Sequence, residues 1–287
     1  MPADLHCHTK LSDSSMGIDD LIVLAQKKGI TTIAITDRDC QAGTVRGKII
    51  GERRGVNVIP GVERSATDTK RGINVEILCY LSDSPDRLEG LCHRNTVQRK
   101  KASQIMTLKI ARKYPITPEL VIKCATGATA VFEQHIMHAL LECGLTDKIY
   151  GELYEELFSP ESPENVLVKV TYPDAEEVIE AIHEAGGVAV LAHPVSSGCL
   201  ELMEELTQKG ILDGIEVYHP DNTSEQQDML KKFAKENGIL ALGGSEFKGM
   251  YTKNKVSVGD CMTPDADLKA LTSYKNKLKK KKAAMEK

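Results

Sequence analysis

The chain has no tryptophan and only four phenylalanines among its 287 residues. Its core must therefore be built from aliphatic side chains. No run of about 18 apolar residues occurs, so no membrane-spanning helix is expected. No internal repeat is visible, and no low-complexity linker divides the chain. The eight cysteines (7, 40, 79, 92, 124, 143, 199 and 261) include no C-x-x-C pair. They read as reduced thiols, several in core positions, rather than as a zinc ribbon or disulfide framework. No signal peptide precedes the first motif, so the expected compartment is the cytoplasm. A net charge of -4 gives the body of the protein no general attraction for nucleic acid.

What is present is ordinary for a soluble enzyme: 41% hydrophobic and 27% charged residues. Apolar runs alternate with amphipathic stretches. Thr31–Thr36, Val56–Glu63, Ile73–Tyr80, Val188–Ala192, Gly214–Tyr218 and Ile239–Leu242 read as buried strands. Leu21–Lys28, Asp174–Ala185, Cys199–Lys209 and Ser224–Asn237 read as helices. This alternation predicts a parallel sheet with both faces covered. Residues 83–165 differ. They carry helical periodicity, dense charge and almost no strand signal, as an α-helical insertion would. The expected division is 1–82 and 166–272 for two parts of one α/β barrel, 83–165 for the insertion as a lid, and 273–287 for a solvated, Lys-rich helical tail.

Chemistry-bearing residues gather at the strand ends. His6 and His8 lie one residue apart on an extended segment, where side chains alternate with period two, so both rings face one side. Asp13 follows five residues later. Asp37, Arg38 and Asp39 end the next strand, and then come Glu63, Glu76, His193, His219, Glu246 and Lys248. In a parallel barrel all strand C-termini share one face, so these groups should converge in one bowl. His6, His8, Glu63 and Glu246 form an N2O2 donor set suited to Zn, Mn or Fe. Asp13 and His193 form a smaller set, able to hold a second ion. Two ions ~4 Å apart can clamp both oxygens of a phosphoryl transfer.

The segments DLHCHTKLSD, TDRD, PGVE, AHP and GSEFKG resemble the five signature segments of the PHP (polymerase and histidinol phosphatase) superfamily of metal-dependent phosphoesterases. The resemblance covers nearly the whole chain and implies a distorted (β/α)7 barrel with an α-helical insertion. The motif order resembles the stand-alone members that hydrolyse nucleotide 3'-phosphates or trim short RNA from the 5' end. It carries over to His6, His8, Asp13, Glu63 and His193, and to His135 as the histidine in the middle of the insertion. Arg38 stands where the family has a metal-binding histidine, and Glu76 where a histidine ends the fourth strand. Glu246 replaces an aspartate, Lys248 replaces a histidine, and Glu133 replaces a phosphate-binding arginine.

Catalytic roles are expected for Asp13 and His193 at matching positions and for Arg38 and Lys248 as fixed cations in the bowl, and substrate contacts for His135 by the resemblance, for His219 by its place at a strand end and for Arg38 by its charge. The implied activity is hydrolysis, by metal-activated water, of a phosphate ester of a nucleotide, short oligonucleotide or other small phosphorylated metabolite. The alternative is a weakened relative that only binds a phosphorylated ligand. Arg38 and Lys248 place fixed cations where relatives hold metal. One tightly bound divalent ion per chain is therefore expected. No membrane and no stable protein partner is implied. Lys10 and Arg64 are further cations near the motifs.

Overall fold

The computed structural model describes residues 1–285. Seven strands form one sheet in chain order: β1 (Asp4–Cys7), β2 (Thr32–Ile35), β3 (Asn57–Asp68), β4 (Ile73–Tyr80), β5 (Val188–Leu191), β6 (Gly214–Tyr218) and β7 (Leu240–Gly243). The sheet curls into a distorted barrel. Its seam is a single parallel bridge between Cys7 and Phe247, with the His8 amide donating to the Phe247 carbonyl at 3.0 Å. Gly244 makes this approach possible. A Cβ there would run into the His6 amide and the Asp4 carboxylate.

The sheet is not wholly parallel. β3 and β4 pair antiparallel from Gly61 opposite Tyr80 to Asp68 opposite Ile73, and β4 also runs antiparallel to β5. The reason is local. Only four residues join β3 to β4, too few for a crossover. The Asp68 carboxylate accepts the amides of Lys70 and Arg71, and Gly72 takes a positive φ of 70°, which closes a hairpin. The parallel-sheet expectation is corrected here. Reversal also explains how Glu76 reaches the mouth. It does not end its strand; it lies near the start of a strand that begins at the mouth.

Helices α1 (Ile18–Lys27), α2 (Thr44–Arg54), α7 (Ala175–Glu184), α8 (Leu200–Gln208) and α9 (Ser224–Asn237) cover the outside. Their ends follow sequence signals. Thr223 and Gln226 form a capping box on α9, which stops at left-handed Gly238. Asp174 caps α7. Between β4 and β5 come α3 (Glu89–Lys113), α4 (Pro118–Cys124), α5 (Glu133–Glu142) and α6 (Glu152–Phe158). They share their own apolar cluster, including Ile110, Val121, Ile136, Leu140 and Leu157, with Tyr251 of the barrel packed into it. Two polar side chains pin α3 to the barrel rim. Asn95 donates to Asp39 at 2.8 Å, and Arg99 reaches Asp39 at 3.1 Å and Ser65 at 2.7 Å.

In the last helix, α10 (Asp265–Met285), Ser273, Asn276, Lys277, Lys279 and Lys280 are exposed as in a solvated tail, but the helix is anchored at two points. Leu271 is fully buried in the cluster that fills the barrel with Leu5, Leu78, Tyr80, Val190 and Leu242. Lys275 is also buried, donating to Asp83 at 2.6 Å. Its apolar stem covers the core while its head finds a carboxylate. Lys287, part of the expected tail, lies outside the described residues.

Candidate metal centre

His6 and His8 leave the end of β1 with both rings aimed at Glu63 of β3, their centroids 5.1 Å apart. His6 Nε2 lies 3.5 Å from Glu63 Oε1, and His8 Nε2 lies 3.5 Å from Oε2. His193, just past β5, places its Nε2 3.5 Å from Oε1. These spacings are too long for good hydrogen bonds. They match neighbouring ligands on one ion, since donors with bonds of about 2.1 Å in tetrahedral geometry sit about 3.4 Å apart.

The same atoms are orphans. Nε2 of His6, His8 and His193, both oxygens of Glu63 and Oδ1 of Asp13 are buried without a hydrogen-bond partner. A buried polar atom without a partner costs about 1–3 kcal/mol, so the five on His6, His8, His193 and Glu63, which face one another, need a shared partner. Donor atoms of His6, His8, Glu63 and Glu246 lie within 4.8 Å of one another. The donor set therefore fits a divalent ion.

Each imidazole is also held from behind. His6 Nδ1 donates to Glu216 Oε1 at 2.9 Å. His193 Nδ1 is 2.8 Å from Ser197 Oγ, and its backbone amide donates to Glu216 Oε2 at 2.9 Å. His8 Nδ1 lies 3.2 Å from Asp13 Oδ1 and 3.4 Å from Ser12 Oγ. This leaves Nε2 as the free nitrogen of each ring, the arrangement that metal-binding histidines need. Glu216 was missed as a site residue by the sequence reading. The only signal was an acid in the middle of an otherwise apolar strand.

Arg38 sits at the centre of the mouth. It donates from Nε to Asp13 at 3.1 Å, from Nη1 to Glu76 at 3.1 Å and from Nη2 to Glu246 at 3.4 Å. Its Nη1 is also 3.1 Å from Glu63 Oε2, outside hydrogen-bonding alignment. Lys248 donates to Glu246 at 2.6 Å and lies 3.3 Å from Asp13. Both cations thus sit among the carboxylates, as their positions in the sequence suggested. Four carboxylates face two fixed cations, a deficit of two positive charges that protonated His6 and His193, or a divalent ion in their place, can make up.

The electrostatics follow from burial and these neighbours. Burial alone would depress the His6 pKa, yet Glu216 and Glu63 outweigh it and hold it well above the usual imidazole value. Burial wins at His8, which falls to about 4. His193 rises to about 9, because Glu63 and Glu246 overcome burial. Glu63 and Glu246 stay ionised well below the ordinary range despite burial, chiefly through Arg38 and Lys248 respectively. Asp37 is different. It accepts the Thr9 amide and the Thr9 and Ser12 hydroxyls at 2.6–2.7 Å, pinning the loop behind His8, and burial raises it to about 6.

Several expected residues stand elsewhere. Asp13 and His193, read as one small set, share no described contact: Asp13 lies beside His8 and the cations, and His193 beside Oε1 of Glu63. His219 reaches the bowl by donating to Glu246 at 3.0 Å, and its Nδ1 accepts the Asp221 amide at 3.2 Å. Both ring nitrogens are thus committed within the protein. His135 is buried but serves α5. Its Nδ1 accepts the Phe132 amide at 3.1 Å, and it lines a separate cleft of about 450 Å³ with Ser14, His138 and Tyr251. No described contact joins it to Glu63. Arg64 alternates with Glu63 along β3, so it points away into the protein, fully buried beside Asp39 and Cys92. His193, Glu246 and Asp39 have positive φ values of 26°, 47° and 47°. Strained residues of this kind gather where loops must aim a side chain.

A cavity of about 780 Å³ opens on the centre, bounded by Asp13, Arg38 and Glu76 of the barrel and by Phe132 and Glu133 of the insertion. Comparison with known proteins matches residues 4–280 to the PHP domain. The chain belongs to the PHP domain family. Among PHP relatives, phosphoribosyl 1,2-cyclic phosphate 1,2-diphosphodiesterase of Eggerthella lenta is 31% identical over 257 residues, 88% of this chain and 95% of that one. The 5'-3' exoribonuclease of Haemophilus influenzae is 27% identical over 251 residues, 85% of this chain and 89% of that one. A solved Bifidobacterium adolescentis protein, classed as a metal-dependent phosphoesterase, superposes with a TM-score of 0.83 at 26% identity, covering 94% of each chain. PHP relatives are thus hydrolases of phosphoester bonds. Among the described residues, no helix is long and apolar enough to cross a membrane.

Proposed function

We propose that this PHP protein is a metal-dependent phosphoesterase acting on a nucleotide, a short oligonucleotide or another small phosphorylated metabolite. The observation that carries this reading is the convergence of five unpartnered buried donor atoms, on His6, His8, His193 and Glu63, close to an open cavity lined by Asp13 and Arg38. His6, His8 and Glu63, with Glu246 as fourth donor, would hold the ion, and all four come from one chain. A divalent ion in this donor set supplies Lewis-acid activation of water and of the phosphoryl oxygens. The deficit of two positive charges favours one divalent Zn, Mn or Fe ion per chain.

The protein's own groups do the rest. Arg38 keeps 13% of its side chain open toward the cavity, where its planar cation can orient a phosphate dianion. Lys248 and His219 hold Glu246 in place. Asp13, kept ionised by Lys248, His8 and Arg38, supports His8 from its Nδ1 side and adds negative charge beside the ion. His193 is the proton carrier, on the opposite side of Glu63. The helical insertion acts as a lid that completes the cavity wall. The eight cysteines, all free thiols, suit a reducing compartment such as the cytoplasm.

A second reading is ligand binding with little or no turnover. It is favoured by Arg38 and Lys248, which already engage Glu246 and Asp13. The test is a panel of phosphomonoesters and dinucleotides assayed with protein loaded with Mn or Zn, beside Glu63→Gln. The phosphoesterase reading expects ion-dependent release of phosphate or nucleotide, with Glu63→Gln lowering it by about 100-fold or more. Calorimetric binding of phosphate esters by ion-loaded protein, with no turnover across the panel, establishes the second reading instead.

A further inference from the structure

Carboxylates beside a phosphate site are unusual, because like charges in one place repel. The 780 Å³ cavity nevertheless presents three: Asp13, Glu76 and Glu133. Asp13 is 1% exposed, and its unpartnered Oδ1 belongs to the metal centre just described. The other two line the same cavity, Glu76 from the barrel and Glu133 from the insertion. Glu133, the first residue of α5, accepts the Tyr154 hydroxyl on Oε2 at 2.7 Å. Glu76, on β4, gives Oε1 to Arg38 at 3.1 Å. Among the described hydrogen bonds, neither residue uses its second oxygen. Tyr154 and Arg38 therefore fix the direction of two carboxylates and leave one acceptor on each for a ligand. A second phosphate entering here would meet repulsion, whereas a hydroxyl would donate to a charged acceptor, the stronger class of hydrogen bond.

We propose that Glu133 and Glu76 form a hydroxyl-reading subsite, so that the preferred substrate is a phosphate ester with a free sugar hydroxyl near the scissile phosphate, and not a bisphosphate. This rests on the phosphoesterase reading and narrows its substrate class. Glu133 is the selectivity residue, since Glu76 also serves Arg38.

The experiment compares pairs of probes that differ by one hydroxyl on the same metal-loaded protein: adenosine 3'-phosphate against its 2'-deoxy analogue, and adenosine 5'-phosphate against its 3'-deoxy analogue. Adenosine 3',5'-bisphosphate is the third arm. Wild type should favour the hydroxyl-bearing member of at least one pair by roughly 10- to 100-fold in kcat/KM. Glu133→Ala should collapse that ratio toward one, and Glu133→Gln should reduce it. Glu133→Arg should raise the relative kcat/KM for the bisphosphate. Each ratio is internal to one protein, so partial loss of folding does not mimic the result. Equal treatment of both pairs by wild type, or an unchanged ratio in Glu133→Ala, overturns the proposal. If no ester is hydrolysed, the phosphoesterase reading fails instead. Calorimetric affinities for the same pairs then still report whether the hydroxyl is read.

Discussion

Nδ1 of His6 donates to Oε1 of Glu216 at 2.9 Å, across the barrel from β1 to β6. That bond decides which nitrogen of His6 faces Glu63. The same carboxylate holds the His193 amide, so one buried acid orients two walls of the centre. Glu216→Ala should weaken zinc or manganese binding by about 10- to 100-fold. Competition with a fluorescent chelator measures this, with circular dichroism as a check on folding. Unchanged affinity in a folded variant would show that Glu216 does not orient the ligands.

Removal of Arg38 should be felt most in protein stripped of metal. Asp13, Glu63, Glu76 and Glu246 would then keep Lys248 as their one fixed cation among the described contacts. Chelator-treated Arg38→Ala is expected to lose about 1–3 kcal/mol of stability in urea unfolding. Added Mn or Zn should restore the variant more than it stabilises wild type, because the ion supplies the missing positive charge. Equal stabilisation of both proteins would sink this account.

Asp37 should leave a signature in the pH dependence of stability. Its folded pKa is raised from 3.8 to about 6, mainly by burial. The folded state therefore binds its proton more tightly than the unfolded state. The associated stabilisation is complete below about pH 3.8 and is lost as pH rises through about 6. Relative to Asp37→Asn, wild type should lose about 2–3 kcal/mol between pH 4 and 7. Urea unfolding of both proteins across that range provides the check, and a constant difference would contradict the burial argument.

Much of the centre was legible from local pattern. His6 and His8 announce themselves by spacing, and Glu63, His193 and Glu246 by standing at the ends of apolar runs. The loops that aim them are short, so position in sequence translated into position in space. Glu216 was not legible, because nothing local marks a buried acid inside a strand as a partner of a histidine 210 residues earlier. The reversed β4 could have been read from the four-residue connection around Asp68 and Gly72, yet the β-branched run pointed to a parallel strand. His135 matched a family position, but its ring nitrogen went to the nearest free amide at the start of α5. Lys275 shows the same limit from the other side. Charge density predicted solvent, while Leu271 and Leu278, four and three residues away along the helix, carried it onto the barrel core.

The measurement that tests the account most directly is elemental analysis of wild type beside the Arg38→His, Lys248→His double variant, both purified without added metal. With two fixed cations among four carboxylates, wild type should hold about one divalent ion per chain. The double variant replaces those cations with ligands, so its metal content should rise above that of wild type. Two or more tightly bound ions in wild type, or no gain in the double variant, would contradict the claim that Arg38 and Lys248 stand in for metal.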